Sequence, residues 1–457
     1  MTGAVLPIAL LTLGVFAIPV GRRLTGDFFH PAAIVVAAWC LSFGLFQLYL
    51  IPFSPLTPGT TALVLATIAL LAGGTVGGHW LETRTPDPPP PVPLSGARGW
   101  VWLFSVLGLL GVSLYIFEVV SAFGWRVFRD APAIRWAIAT YQISPIFWFL
   151  EFFCIATPWL AVAVSLTGSR LRRVDWIGPV LCVMGTAITT DRTQLFLVVL
   201  CTLFILLVRK GPALSWLRLL MVIAVAGAVL AVHFMFVDVW TRKSERHPLP
   251  VSVPILEAIL GPDVWANDPH AGVAARVGRR SVQFAATMYL YSSGSYAALG
   301  QLTRQPLGTT GGIHTIYPVA RLVQRLGIAH FALPPPIPPE INVLRQPGPT
   351  FQFNAYTFLY YPLMDFGPIG ALAYTALIGL LCGFVHGRFV RRRESPLYLL
   401  VSGQIATALT LSVFVNKFNN TASWYLLAAT LAPFVAVRWF GNRRAVDVDR
   451  ADRVPQN

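Results

Sequence analysis

Apolar residues fall in eleven long runs along this chain, roughly 3–20, 31–51, 60–80, 100–122, 145–167, 174–190, 193–208, 215–237, 366–386, 396–415 and 423–440. Most approach the ~20 residues that carry an α-helix across a bilayer. The pattern predicts an all-α fold, a polytopic transmembrane helical bundle of about eleven spans. The pair around 174–208 leaves two readings open: two short tilted spans joined at Thr190, Asp191, Arg192 and Thr193, or a re-entrant piece. The chain then divides into spans 1–8 over 1–237, a loop domain over 238–365, spans 9–11 over 366–440 and a charged tail over 441–457, read as disordered.

The polar residues between the runs give direction. Arg22 and Arg23 follow the first run, Arg170, Arg172 and Arg173 the fifth, and Arg209, Lys210 and Arg218 the seventh. Arg388, Arg391, Arg392 and Arg393 follow the ninth, and Arg438, Arg443 and Arg444 the eleventh. In an eleven-span chain all of these share one side, which the positive-inside rule makes cytoplasmic. The N-terminus is then expected outside, the C-terminus inside, and 238–365 as one large extracytoplasmic loop domain with amphipathic helices. A secretory signal carries its basic residues before the apolar run, so residues 3–20 are read as a span that is kept.

Composition sharpens this picture. Of 457 residues, 55% are hydrophobic and only 12% charged, against about 25% charge in a soluble domain. Most of the surface must therefore face lipid. The net charge of +15 raises a nucleic-acid reading. The arginines lie in short blocks between apolar runs, so no nucleic-acid partner is expected. Cys40, Cys154, Cys182, Cys201 and Cys382 sit inside apolar runs without a CxxC pair and read as small apolar residues. Absence of GxxxxGK[ST], HExxH, paired CxxC and GxSxG removes the P-loop, zinc and serine-elbow signatures, and neither metal nor cofactor is expected. Six prolines between Glu82 and Arg98 read as a spacer.

Chemistry is expected on the outward side. Residues 238–354 hold His247, His270, His314 and His330 among many arginines. Arg276, Arg280, Gln283, Thr287 and Tyr291 recur at helical spacing opposite Val277, Phe284, Ala285, Met288 and Leu299. Such a helix would either lie on the bilayer surface with its arginines on lipid phosphates or line a cavity. Arg126 and Arg129 read as head-group anchors. Arg192, at a tight turn between runs, reads as a contact for an anionic ligand, because guanidinium binds phosphate oxygens in a planar fork. Asp365, between an aromatic run and a span, reads equally as a helix cap and as a functional acid.

Several scattered motifs, taken together, resemble the O-antigen polymerase family, the oligosaccharide repeat-unit polymerases of bacterial surface polysaccharide pathways. They are His30-Pro31, the stretch Tyr49 to Thr57, Gly124 with Arg135, and Asp191-Arg192. They continue with Ser295-Tyr296, Gly311-Gly312-Ile313-His314-Thr315-Ile316-Tyr317-Pro318, Asn354-Ala355-Tyr356-Thr357, and Asp365-Phe366-Gly367-Pro368-Ile369-Gly370. The resemblance implies a multi-pass protein of the bacterial cytoplasmic membrane, similar to C-type glycosyltransferases. Its substrates would be undecaprenyl-diphosphate-linked oligosaccharides, joined at the outer face by metal-independent glycosyl transfer. The lipid bilayer, a chain-length regulator and a flippase are the implied partners. By the resemblance, His314 or Asp365 would take the hydroxyl proton, Arg135 and Arg192 would hold diphosphate, and Tyr317 and Asn354 would contact sugar. Arg280 joins the diphosphate set from the helical stripe alone. An O-antigen ligase shares the donor and differs in acceptor. A secondary transporter or flippase would instead use mid-span groups, of which Glu118, Glu151 and His233 are the candidates.

Overall fold

The computed structural model describes all residues except 1–4, 28, 88–93, 95, 126–144, 189–191, 211–214, 242–288, 306–308, 326, 331–332, 334–339, 346–351, 354 and 452–457. It is overwhelmingly helical. Helices α1 (Val5–Thr25), α2 (Pro31–Gln47), α3 (Pro58–Thr83), α4 (Ala97–Phe123), α5 (Pro145–Leu166), α6 (Ile177–Ile188), α7 (Arg192–Lys210) and α8 (Trp216–Thr241) come first. Then follow α9 (289–302), α10 (Tyr317–Arg325), α11 (Tyr360–Arg391), α12 (Pro396–Leu411) and α13 (Thr421–Ala451). A two-residue antiparallel hairpin, β1 (Ile341–Asn342) with β2 (Gln352–Phe353), pairs Ile341 with Phe353.

Each apolar run coincides with a helix, because a chain in lipid must satisfy its own backbone groups. Among the described residues, five helical stretches are long and apolar enough to cross a bilayer: α1, α3, α4, Phe149–Leu166 of α5, and α11. These mark a membrane protein. Helices α2 and α12 are apolar but shorter. The run 174–190 is the one the sequence left open. It forms a 3-10 turn, Arg173–Trp176, and a 12-residue helix, α6. Twelve residues rise only about 18 Å against a hydrocarbon core of about 30 Å, so α6 is no full crossing by itself. The tail also differs from expectation, since α13 runs on to Ala451 with no proline between Pro433 and its end.

The chain forms two compact units. The first holds residues 1–83, 223–384 and 405–421. There α3 and α11 approach closely through Gly74 and Gly78 on one and Gly379 and Gly383 on the other. A Cβ at Gly78 would overlap the Leu380 carbonyl, and one at Gly383 the Thr75 carbonyl. This is the small-residue spacing that lets two helices pack backbone to backbone in lipid. Helix α9 lies in the core of this unit: Ser293, Ser295, Tyr296, Ala297, Ala298 and Leu299 are fully buried. The Tyr289 hydroxyl donates to Leu45 O (2.9 Å) and accepts from Leu50 N (3.1 Å). Tyr296 packs among Trp39, Phe43 and Phe46. Of the expected polar stripe, Tyr291 is described and is exposed, while Leu299 of the apolar set is fully buried; Arg276, Arg280, Gln283 and Thr287 lie outside the described residues.

The second unit holds residues 84–222, 385–404 and 422–457. Gly108 meets the Cys154 backbone and Gly111 meets Leu150 and Glu151, so α4 and α5 pack at close range. Trp159 Nε1 donates to Val198 O (3.2 Å), joining α5 to α7. The turn before α6 is tied to α4: Arg98 Nε and Nη2 donate to Asp175 (2.7 and 3.1 Å), as do Trp102 Nε1 (3.1 Å) and Arg172 N (2.7 Å). Arg98 and the Arg172 amide hold the Asp175 carboxyl well below the usual carboxylate range. Arg391 pairs with Asp87, and Arg209 Nε donates to Leu166 O (3.4 Å). All five cysteines are buried and none is in a disulfide.

Candidate functional site

The site is built in the first unit from three stretches far apart in sequence: 310–317, 357–367 and 412–420. Gly311 and Gly312 have φ of 67° and 99°, a left-handed pair that side-chain-bearing residues rarely adopt. They turn the chain into a ledge, Thr310 to Ile316, just before α10. The ledge rests on the first segment of α11. Thr310 N and Gly311 N donate to the carbonyls of Met364 (3.1 Å) and Asp365 (3.3 Å). The Phe366 ring sits beneath Gly312, where an added Cβ would lie 3.3 Å from it.

Asp365 clamps the ledge. One carboxylate oxygen accepts from Thr310 Oγ1 (2.6 Å) and His314 N (3.0 Å), the other from Thr315 N (2.6 Å) and Thr315 Oγ1 (2.5 Å). It is 1% exposed. Its cap reading is thereby corrected. Helix α11 starts at Tyr360, so Asp365 lies inside its first segment. The break comes at Gly367 (φ 68°), and Pro368 opens the long segment. The carboxylate is spent on the ledge and not on helix N–H groups.

His314 is thus held on both sides of its peptide. Its N–H donates to Asp365 and its carbonyl accepts from Asn419 Nδ2 (3.1 Å). The imidazole is 7% exposed, with the Tyr361 ring centroid at 5.6 Å. Its Nδ1 is buried without a hydrogen-bond partner among the described residues. Burial pushes the imidazole pKa below its ordinary value, while the Asp365 charge opposes that shift. The ring is therefore neutral at pH 7, with a nitrogen left over for another group. Tyr317 opens α10 three residues on, half-buried, with Arg321 at 5.9 Å over its ring.

The third stretch is a non-helical bend between α12 and α13. Trp39 Nε1 donates to Ser412 Oγ (2.7 Å), and Ser295 Oγ donates to Val413 O (2.7 Å). Phe358 N donates to Ser412 O (2.7 Å), and Asn416 Nδ2 donates to Phe358 O (3.2 Å). Ser412, Asn416, Lys417 and Asn419 are all buried. Sequence reading did not pick this bend out. Its signal was a run of polar residues, Asn416-Lys417-Phe418-Asn419-Asn420, set between two apolar runs in a chain with only three lysines.

The structure places His314, Asp365 and Tyr317 together in the first unit. Arg192 is the first residue of α7, in the second unit. Arg135, Arg280 and Asn354 lie outside the described residues. No protein-family model matches the chain, and no curated protein or solved structure matches it either.

The arrangement can accept a proton on a neutral, rigidly placed imidazole. All four hydrogen-bonding positions of the Asp365 carboxylate are filled by the ledge.

Proposed function

We propose that this chain polymerises undecaprenyl-diphosphate-linked oligosaccharide repeat units into a surface polysaccharide, by metal-independent glycosyl transfer at the outer face of the bacterial cytoplasmic membrane. The observation that carries the reading is His314, its peptide fixed by Asp365 and Asn419, with a buried Nδ1 that has no hydrogen-bond partner among the described residues. In the reaction, a sugar hydroxyl of one repeat unit attacks the anomeric carbon of another. The bond from that carbon to the lipid diphosphate breaks, and the diphosphate leaves with the bonding pair. His314 takes the hydroxyl proton. Asp365 acts as a positioning residue, holding the ledge that carries His314. Tyr317, at the start of α10, would contact the sugar.

The side on which this happens is part of the proposal. An outward N-terminus makes 49–57, 289–304, 310–316, 341–345 and 412–420 outward segments, and within the first unit these segments meet. Ser54 N donates to Val343 O (2.9 Å), Arg345 N to Pro52 O (2.9 Å), and Gln301 Nε2 to Ser54 Oγ (2.8 Å). The same topology makes 84–98, 166–176, 209–210 and 388–393 inward. Within the second unit, Arg98 meets Asp175, Arg209 meets Leu166, and Arg391 meets Asp87. A helical hairpin α6–α7 that enters and returns leaves this sorting unchanged.

Deleting the gene in its own host tests the reading. A polymerase loss leaves lipid-linked single repeat units. Accumulated long lipid-linked polymer would point to a ligase instead, and an unchanged polysaccharide would refute both.

A further inference from the structure

Helix α10 is amphipathic in the opposite sense to a helix in water. Val319 N and Ala320 N both donate to Ile316 O (2.9 Å each), so the helical register opens at Ile316. On it, Ile316, Val319 and Leu322 recur every three residues and form one face. They are 51, 45 and 48% exposed. Tyr317, Arg321 and Gln324, spaced four and three residues apart, form the opposite face and are all half-buried. Ile328, past the turn at Gly327, is exposed as well. A surface helix of a soluble domain buries its apolar stripe and shows water its polar one. Here the aliphatic side is the open one.

Its neighbours indicate what covers that side. The ledge ahead of α10 is bonded to the carbonyls of Met364 and Asp365, just where α11 breaks at Gly367 before its long apolar segment. Helix α11 is one of the stretches able to cross a bilayer. On its long segment Ile369 (85%), Leu377 and Leu381 are exposed along one side, the surface that a span turns to lipid. Phe366, one residue before the break, is also exposed and lies against Gly312, four residues before Ile316. The lipid-facing surface of the span thus continues through Phe366 towards the ledge that carries α10. Protein interfaces concentrate Tyr, Trp, Met and Arg at their centres, whereas the open face of α10 holds only Ile, Val and Leu.

We propose that α10 is an interfacial helix of the bilayer, with Ile316, Val319, Leu322 and Ile328 seated among lipid acyl chains and Tyr317, Arg321 and Gln324 turned towards the protein. Such a helix lies at the boundary between headgroups and chains. His314, two residues before Ile316, is then held at headgroup depth, level with a reacting group borne by a lipid. The seat goes beyond the glycosyl-transfer reading and does not depend on it.

The test puts a nitroxide spin label on the full chain in phosphatidylcholine nanodiscs, through Val319→Cys, Leu322→Cys and Ile328→Cys in turn. The native cysteines are buried, and wild-type protein treated the same way checks that they stay unlabelled. Glu340→Cys, at an exposed acid off the helix, is the water-facing reference. Oxygen concentrates among acyl chains and a charged or hydrophilic nickel chelate stays in water. At the three α10 positions the label should collide more with oxygen than with the chelate, and at Glu340→Cys the order should reverse. Preference for the chelate at Val319→Cys or Leu322→Cys would overturn the proposal. Low access to both reagents at those positions would overturn it too, because the cover would then be protein, a second copy or another segment of the chain. Thermal unfolding checks each variant, and the positions report separately, so loss of one variant leaves the others to decide.

Discussion

Replacing Asp365 with asparagine isolates what the ledge clamp is worth. The carboxylate accepts four hydrogen bonds, two per oxygen, and two of the donors are the backbone amides of His314 and Thr315. A side-chain amide offers one acceptor oxygen and one NH2 group. Whichever way the asparagine turns, one backbone N–H faces a donor and loses its partner in a buried setting. The threonine hydroxyls can rotate to accept; the backbone cannot. One orphaned N–H costs about 1–3 kcal/mol, and losing the negative charge weakens the surviving bonds by roughly 1 kcal/mol more. The total, about 2–4 kcal/mol, falls on opening of residues 310–316 and not on the whole fold, since the ledge is a local element. Hydrogen exchange reads it directly: amides of His314 and Thr315 should lose protection by roughly 30- to 900-fold while α3 and the long segment of α11 stay unchanged. Unaltered exchange at those two amides would refute the clamp. So would a uniform loss of protection across the first unit.

Other outcomes follow from the same geometry. Burial lowers the His314 pKa, so the imidazole stays neutral to a lower pH than a free histidine; the acid limb of the wild-type pH–rate profile should lie below about 6.5. Asp175 is held ionised by Arg98 and the Arg172 amide. Its folded-state pKa is below the unfolded value of about 3.9, so its stabilisation is complete above that pH and drains as pH falls further. Thermal unfolding of wild type against Asp175→Asn should therefore diverge at neutral pH and converge in acid. Gly78→Leu drives a side chain into the Leu380 carbonyl and should cost at least about 1–3 kcal/mol by overpacking, seen as a lower melting temperature in detergent; Gly73→Leu, with open space at its Cβ position, should not.

The helices were legible because lipid imposes one simple rule, a long apolar run closed on its own hydrogen bonds. Where a run was too short after its turn was made, as at 174–190, hydropathy could not tell a crossing from a half-length helix. Helix α9 carries polar residues that hydropathy does not place, and Ser295, Tyr289 and Tyr296 spend their hydroxyls on backbone carbonyls within the core. His314 and Asp365 stood in recognisable motifs. Their relation did not, because Asp365 reaches back some fifty residues to Thr310, His314 and Thr315. Asn419 lies a hundred residues from the histidine it holds. No local pattern encodes contacts of that separation, so the 412–420 bend read as an ordinary helix connection.

Polymerisation by the purified protein tests the central claim most directly. The full chain, reconstituted in liposomes with a polyprenyl-diphosphate-linked repeat unit from its own host, should release polyprenyl diphosphate and build a ladder of lengthening oligosaccharides without added metal. His314→Gln should abolish the ladder while leaving substrate binding within a few-fold. A ladder of wild-type rate and length from His314→Gln, or none from the wild-type protein, would contradict the account.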